Sequence, residues 1–160
     1  MQFVVKTSKA AATKTATLVL PVAEDLVLGE IAQSVDAASA GVISATLKRG
    51  DLQGQPGQTL LLQLVGIGKA EELDARQWRK VVGALSGALK NLGGSDAALA
   101  LQDVRLKGRD AYALTRLLVE TLAGGQYNFD QFKSKKAEAR PLNLITILSS
   151  KAEQAQTEQA

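Results

Sequence analysis

Residues 59–73 read TLLLQLVGIGKAEEL. A run of apolar residues enters Gly66-x-Gly68-Lys69 and then leads into a segment with helical character, the way many phosphate-binding loops begin. The dinucleotide fingerprint G-x-G-x-x-G needs a third glycine so that the helix can pack closely on the strand; Glu71 stands in that place. The P-loop pattern G-x-x-x-x-G-K-[ST] needs an earlier glycine and a hydroxyl for magnesium. Gln63 and Ala70 occupy those positions, and Glu71 and Glu72 would repel a nearby phosphate. Both fingerprints fail, and the favoured reading is a tight strand-to-helix turn in which glycine permits positive φ.

Working outward, QFVVKTS and Thr15–Val22 (TATLVLPV) read as strands rich in β-branched residues, the second closed by Pro21. In LGEIAQSVDAASAG, Leu28, Ile31, Val35 and Ala38 fall at helical spacing, with Gly41 at the expected stop. Residues 50–58 form a turn-rich connector, followed by the strand LLLQLVG. The best-specified helix runs from Ala75 to about Leu92. Asp74 and Gln77 match a capping box, Leu73 and Trp78 a hydrophobic staple, and Trp78, Val81, Val82, Leu85, Leu89 and Leu92 one apolar stripe ended by Gly93–Gly94. AALAL at 97–101 reads as a short buried strand. A helix from Ala111 to Leu122 opens at Asp110, presents Leu114, Leu118 and Leu122, and stops at Gly124–Gly125. LNLITILS is a last strand, and the polar KAEQAQTEQA starts a helix with little to hold it against the domain. Strands alternating with helices predict an α/β fold, a mainly parallel sheet covered on both faces.

The chain has 160 residues, 46% of them hydrophobic and 22% charged, which suits one globular domain. No apolar run reaches the roughly 20 residues of a membrane span, and the N-terminal stretch lacks the apolar core of a secretory signal. Cysteine is absent, so a cytoplasmic location without membrane partners is expected. Histidine is absent too, which excludes a Ser-His-Asp triad, a Cys-His pair and an N/S-ligated zinc site. Glu24–Asp25 and Glu71–Glu72 are sequence neighbours whose side chains diverge, so neither forms an acid/base dyad. No catalytic residue and no metal ligand is assigned.

The net charge of +3 permits a polyanionic partner. Three basic clusters are candidates for DNA contact. Arg76, Arg79 and Lys80 fall on the helix side away from the apolar stripe. Arg105, Lys107 and Arg109 alternate and would point one way if extended. Lys133, Lys135, Lys136 and Arg140 follow Tyr127, Phe129 and Phe132, a pairing that suits phosphate neutralisation with base stacking. The plainer reading of each cluster is a solvated face.

Three stretches, DLVLGEIAQSVDAASAGVISATLKRGDLQGQPGQTLLLQ, LVGIGKAEELDARQWRKVVGAL and KGRDAYALTRLLVETLAGGQYNFDQFKSKK, resemble in order and spacing the N-terminal domain of bacterial cytosolic leucyl aminopeptidases (aminopeptidase A). The resemblance covers nearly the whole chain, through LKRGD-x-x-G-x-x-G-x-T, VGIGK and YNFDQFKSKK. It implies a three-layer macro-domain-like fold over residues 1–150, with 151–160 beginning a connector helix. It implies a partner catalytic domain that binds two divalent metal ions, zinc or manganese, and releases N-terminal residues from peptides. It further implies support of a homo-hexamer and, in some members, DNA binding in recombination or transcriptional control. None of the catalytic motifs is in this chain, so the chain alone is expected to be inert. Family members carry an extra loop and strand start where Gln63 here runs straight into Leu64. By analogy with macro domains, a module binding ADP-ribose or another phosphate is the alternative. A free-standing enzyme ranks last.

Overall fold

Alternation along the strands dictates a layered molecule. Val19, Ala97, Leu99, Ile145 and Ile147 face one apolar cluster, while Leu20, Val22, Ala100 and Leu148 face another, as side chains on successive strand residues must. The computed structural model describes residues 1–7, 9–60, 64–91, 95–126 and 142–160. These form β1 (Gln2–Lys6), β2 (Leu18–Ala23), α1 (Glu30–Ala38), α2 (Val42–Lys48), β3 (Thr59–Leu60), β4 (Leu64–Gly68), α3 (Ala75–Asn91), β5 (Asp96–Ala100), α4 (Ala111–Gln126), β6 (Leu144–Leu148) and α5 (Gln154–Gln159). The described strands make a six-stranded sheet in the order β1-β6-β5-β2-β4-β3. Every pairing is parallel except β3 with β4. The expected α/β fold, mainly parallel with helices on both faces, is what the chain adopts. Helices α3 and α4 cover the first cluster, and α1 and α2 the second.

The long helix follows its sequence signals. Gln77 N–H donates to Asp74 Oδ1 at 2.7 Å and Asp74 N–H to Gln77 Oε1 at 3.3 Å, closing the capping box. Leu73 and Trp78 are both buried. The Trp78 indole N–H donates to the Leu114 carbonyl at 3.1 Å, so the large ring that fills the core also fastens α3 to the first turn of α4. Asp110 caps α4 through the Ala113 N–H at 2.9 Å.

Other boundaries differ from expectation, each for an identifiable reason. Pro21 does not close the second strand but lies inside β2. The Thr17 carbonyl accepts from Ala98 N–H, so odd-numbered residues of β2 turn their backbone groups toward β5. Pairing with β5 ends at Val19, and the missing N–H of Pro21 therefore costs no ladder bond. The strand expected over LLLQLVG is an antiparallel pair, β3 and β4, with 61–63, and hence the Gln63–Leu64 junction, outside the described residues. The left-handed residue ending α1 is Ala40, at φ 56°, with Gly41 N–H reaching the Asp36 carbonyl at 2.8 Å, a Schellman closure. Gly124–Gly125 do not stop α4, which continues to Gln126. A Cβ on Gly125 would lie 2.5 Å from Ser86 Oγ, so this glycine lets α4 approach α3. Leu92, Gly93 and Gly94 lie outside the described residues. The terminal polar helix is docked: Thr157 is buried and its hydroxyl lies 3.1 Å from Ser149 Oγ.

Helix α2 was not expected at all. Its own cap, Gly41, has no side chain to bond its first turn. Asp36 of α1 supplies that cap, accepting from Ile43 N–H at 2.8 Å, Ser44 N–H at 3.1 Å and the Ser44 hydroxyl. The Ser44 hydroxyl, followed by the Ser44 and Ile43 amides and Lys48, holds the Asp36 carboxyl below its ordinary value of 3.8, against a smaller opposing effect of burial. A lowered folded-state pKa gives stabilisation that is complete above the unfolded value and lost as pH falls through the folded one. Thermal melts of Asp36→Ala should thus show a lower Tm than the parent at pH 7, with the difference shrinking once the pH drops below about 4. An offset that persists at pH 2 would contradict this cap.

Candidate functional site

The glycine loop is built around the protein's own backbone. Gly66 and Gly68 lie within β4, and the turn into α3 is made by the short 3-10 turn at Ala70–Glu72. The connector at Gly54–Gln58 crosses β4 there. Gly68 N–H donates to the Gly54 carbonyl at 2.8 Å, Gly66 N–H to Gln58 at 2.7 Å, and Gly57 N–H to Gly66 at 3.0 Å. A Cβ on Gly66 would run into the Gln55 carbonyl oxygen, and one on Gly68 would sit 2.6 Å from Pro56 Cγ. A Cβ on Gly54 would strike the Ala23 carbonyl. The amides a phosphate would need are already bonded. Gly66 and Gly68 thus serve close packing within and beside the strand, whereas the sequence reading gave them to the strand-to-helix turn.

A crevice opens where the sheet reverses its winding. From β2 the chain goes on to β4 on one side, from β5 to β6 on the other, and β2 pairs with β5 at only Leu18–Ala98 and Val19–Leu99. Open α/β sheets bind ligands at such a switch point. Here the crevice measures about 180 Å3 and is lined by Ala23, Asp25, Leu28, Ile67 and Asp103 among others. Asp103 Oδ2 accepts from Ile31 N–H at 3.0 Å, occupying the start of α1 where an anion would bind. A ligand phosphate would have to displace this carboxylate.

The basic clusters fall into different environments. Arg76, Arg79 and Lys80 are exposed on α3, opposite its apolar stripe, as expected. The stretch with Arg105, Lys107 and Arg109 is not extended. It turns twice, with Val104 N–H on the Leu101 carbonyl at 3.0 Å, Arg109 N–H on Leu106 at 3.1 Å, and Gly108 at φ 67°. Arg105, Lys107 and Arg109 are all exposed, alternating with buried Val104 and Leu106, but the turns on either side break the extended run assumed for them. Arg105 is a strut. It donates to the carbonyls of Gln102 and Val104 and pairs with Glu153 at 3.2 Å, holding the entry to α5. Lys107 is exposed, and its N–H donates to the Leu73 carbonyl at 2.9 Å. That bond ties the loop to the start of α3 and carries Arg109 toward Arg79. Lys133, Lys135, Lys136 and Arg140, with Tyr127, Phe129 and Phe132, lie outside the described residues.

Arg79 and Arg109 meet around a groove of about 750 Å3 between the starts of α3 and α4, together with Arg116. Sequence reading missed Arg116, having followed only the apolar face of α4. Its signal was the Tyr112, Arg116, Glu120 ladder at i, i+4 spacing. Arg116 donates from Nε to Glu120 at 2.9 Å and from Nη1 to the Tyr112 hydroxyl at 2.8 Å. The Glu120 bond first, then Tyr112, raise its pKa above the ordinary guanidinium value.

Among the described residues no three Asp or Glu side chains gather into a group that could hold a metal ion, and histidine and cysteine do not occur. The described residues thus do not fit a dinuclear metal centre. Among the same residues no helix is long and apolar enough to cross a membrane.

A mainly parallel α/β sheet in this strand order, with helices on both faces, defines a macro-domain-like fold. Residues 19–136 match the family model described as cytosol aminopeptidase family, N-terminal domain, and the chain belongs to that family. It is 63% identical over 171 residues to the probable cytosol aminopeptidase of Stutzerimonas stutzeri (strain A1501), with 100% of this chain and 34% of that protein covered. The chain thus spans about a third of that relative's length. Among solved structures, a tomato leucine aminopeptidase mutant aligns with TM-score 0.74 at 16% identity, over 99% of this chain and 35% of that one. A Trypanosoma brucei macrodomain aligns with TM-score 0.69 at 10% identity, over 98% of this chain and 65% of that one. These two likenesses are of fold.

The crossing at β4 makes a sharp prediction. Gly66→Ala should destabilise the fold by about 1–3 kcal/mol or prevent its formation, because rigid backbone at Gly54–Gln55 cannot yield as a flexible side chain would. Ala at Gly83, an exposed helical glycine with nothing within 4 Å of its Cβ position, should be neutral or stabilising in the same denaturant titration.

Proposed function

We propose that this chain serves as the non-catalytic N-terminal domain of a metal-dependent leucyl aminopeptidase. Residues 1–150 form the domain and 151–160 begin the helix leading to a catalytic domain. The observation that carries this reading is the match of residues 19–136 to the family's N-terminal domain, in a chain without histidine or cysteine. In this reading hydrolysis of N-terminal residues from peptides belongs to the catalytic domain and its two divalent ions, zinc or manganese. The contribution of this domain is support of a homo-hexamer. A cytoplasmic setting accords with the cytosol aminopeptidase naming of its relatives. Docking of α5 through the Arg105–Glu153 pair and the Ser149–Thr157 contact would give the connector a fixed direction of departure.

DNA contact is a second role of the same domain in our reading. It is supported by the exposed Arg76, Arg79 and Lys80 and by the absence of an ion pair to any of the three among the described residues. Arg105, already paired with Glu153, is the weakest contributor.

The 160-residue chain should leave Leu-p-nitroanilide uncleaved with zinc or manganese added. Metal-dependent turnover that tracks the chain through purification would refute the assignment of hydrolysis to another domain. For DNA, duplex binding measured against salt should lose about 0.9 of logarithmic slope for each phosphate contact removed. Replacing Lys133, Lys135, Lys136 and Arg140 by Ala should accordingly flatten the slope. An unchanged slope removes that cluster from the interface.

A further inference from the structure

The groove between the starts of α3 and α4 joins one arginine from each of two exposed basic clusters, Arg79 and Arg109, with Arg116. It measures about 750 Å3, within the size range of small-molecule sites. It shares no lining residue with the switch-point crevice. Three arginines from three elements line it: Arg79 from α3, Arg109 from the loop before α4, and Arg116 from α4 itself. Arg79 and Arg109 have no acidic partner among the described residues. Arg116 is anchored on one side by Glu120 and on the other by Tyr112, which keeps its planar head in place. The Tyr112 hydroxyl accepts from Arg116, so its own proton is available to another acceptor.

We propose that this groove is a binding site for a small organic phosphate, with the phosphate group held by Arg79, Arg109 and Arg116. A phosphate monoester offers three terminal oxygens and close to two negative charges, enough to engage several guanidinium forks at once. A single carboxylate would satisfy one fork. Leu117 and the Tyr112 ring, also in the lining, supply apolar surface for the organic part. Glu120 and Asp110 border the same groove. They limit it to a compact anion, since a run of backbone phosphates would bring further negative charge against them. The site stands whether or not the outer clusters bind DNA.

Calorimetric titration of the whole 160-residue chain with adenosine monophosphate, inorganic phosphate and adenosine tests this. Adenosine monophosphate should bind saturably at one site, and adenosine at least tenfold more weakly. Arg79→Gln and Arg109→Gln should each weaken the monophosphate at least tenfold with unchanged thermal melts, because both side chains are exposed. Arg49→Gln, at a remote exposed pair with Asp51, should change nothing. Inorganic phosphate binding as tightly as the monophosphate would remove the organic part of the claim. Absence of saturable heat with both phosphates, or affinity indifferent to Arg109→Gln, would overturn the site, even if duplex DNA still bound with a steep salt dependence.

Discussion

The chain is organised by the passage of one stretch of backbone over another. Residues 54–58 lie on β4, where a side chain at Gly54, Gly66 or Gly68 would collide with main chain or with the Pro56 ring. Because those positions carry only hydrogen, the connector comes close enough to bond β4 along its outer edge, and the sheet gains β3 as a short antiparallel border. Short, covered borders protect a sheet from pairing with other chains. The same contact consumes the amides that would make the glycine segment a phosphate cradle. One steric fact therefore borders the sheet and removes the phosphate-cradle reading of the glycine segment.

A second set of contacts aligns the beginnings of α3 and α4. The Trp78 indole reaches the Leu114 carbonyl, and Lys107 N–H reaches the Leu73 carbonyl. Both bonds join segments with β5 between them in the chain. Their consequence is electrostatic. The inner faces of the two helices are spent on the apolar cluster, so their cations stand outside it. Because the helix starts lie side by side, Arg79, Arg109 and Arg116 share one groove. A domain without histidine or cysteine can still present concentrated positive charge in this way. Recognition of anions is one thing such residue types allow.

Much of the fold was legible in particular residues. Asp74, Gln77, Leu73 and Trp78 mark the start of α3 by local signals, and the structure closes the Asp74–Gln77 box and buries both Leu73 and Trp78 in one cluster. The order of segments around LKRGD and VGIGK carried the family resemblance, because turn chemistry and core pattern are both local in sequence. Pro21 and Gly125 misled the reading for a common reason. Each was judged by its intrinsic preference, whereas its place was set by a neighbour: the end of the β5 ladder for Pro21, and Ser86 on the facing helix for Gly125. Helix α2 escaped notice because its cap comes from Asp36 on the helix before it. The candidate site was only half visible. Arg79 and Arg109 were singled out, but Arg116 was not, and Arg105 proved to be tied to Glu153.

What the sequence determined by itself is the list of possible chemistries and the set of building blocks: no imidazole, no thiol, alternating strands and helices, and an excess of exposed cations. Those follow from composition and short-range periodicity, which need no knowledge of where distant segments lie. Only the tertiary structure could decide which cations act together, which glycines face backbone, and whether the polar C-terminal helix has a seat. Each of those depends on a distance between residues far apart in the chain, and such distances are set when the two faces of the sheet are buried together.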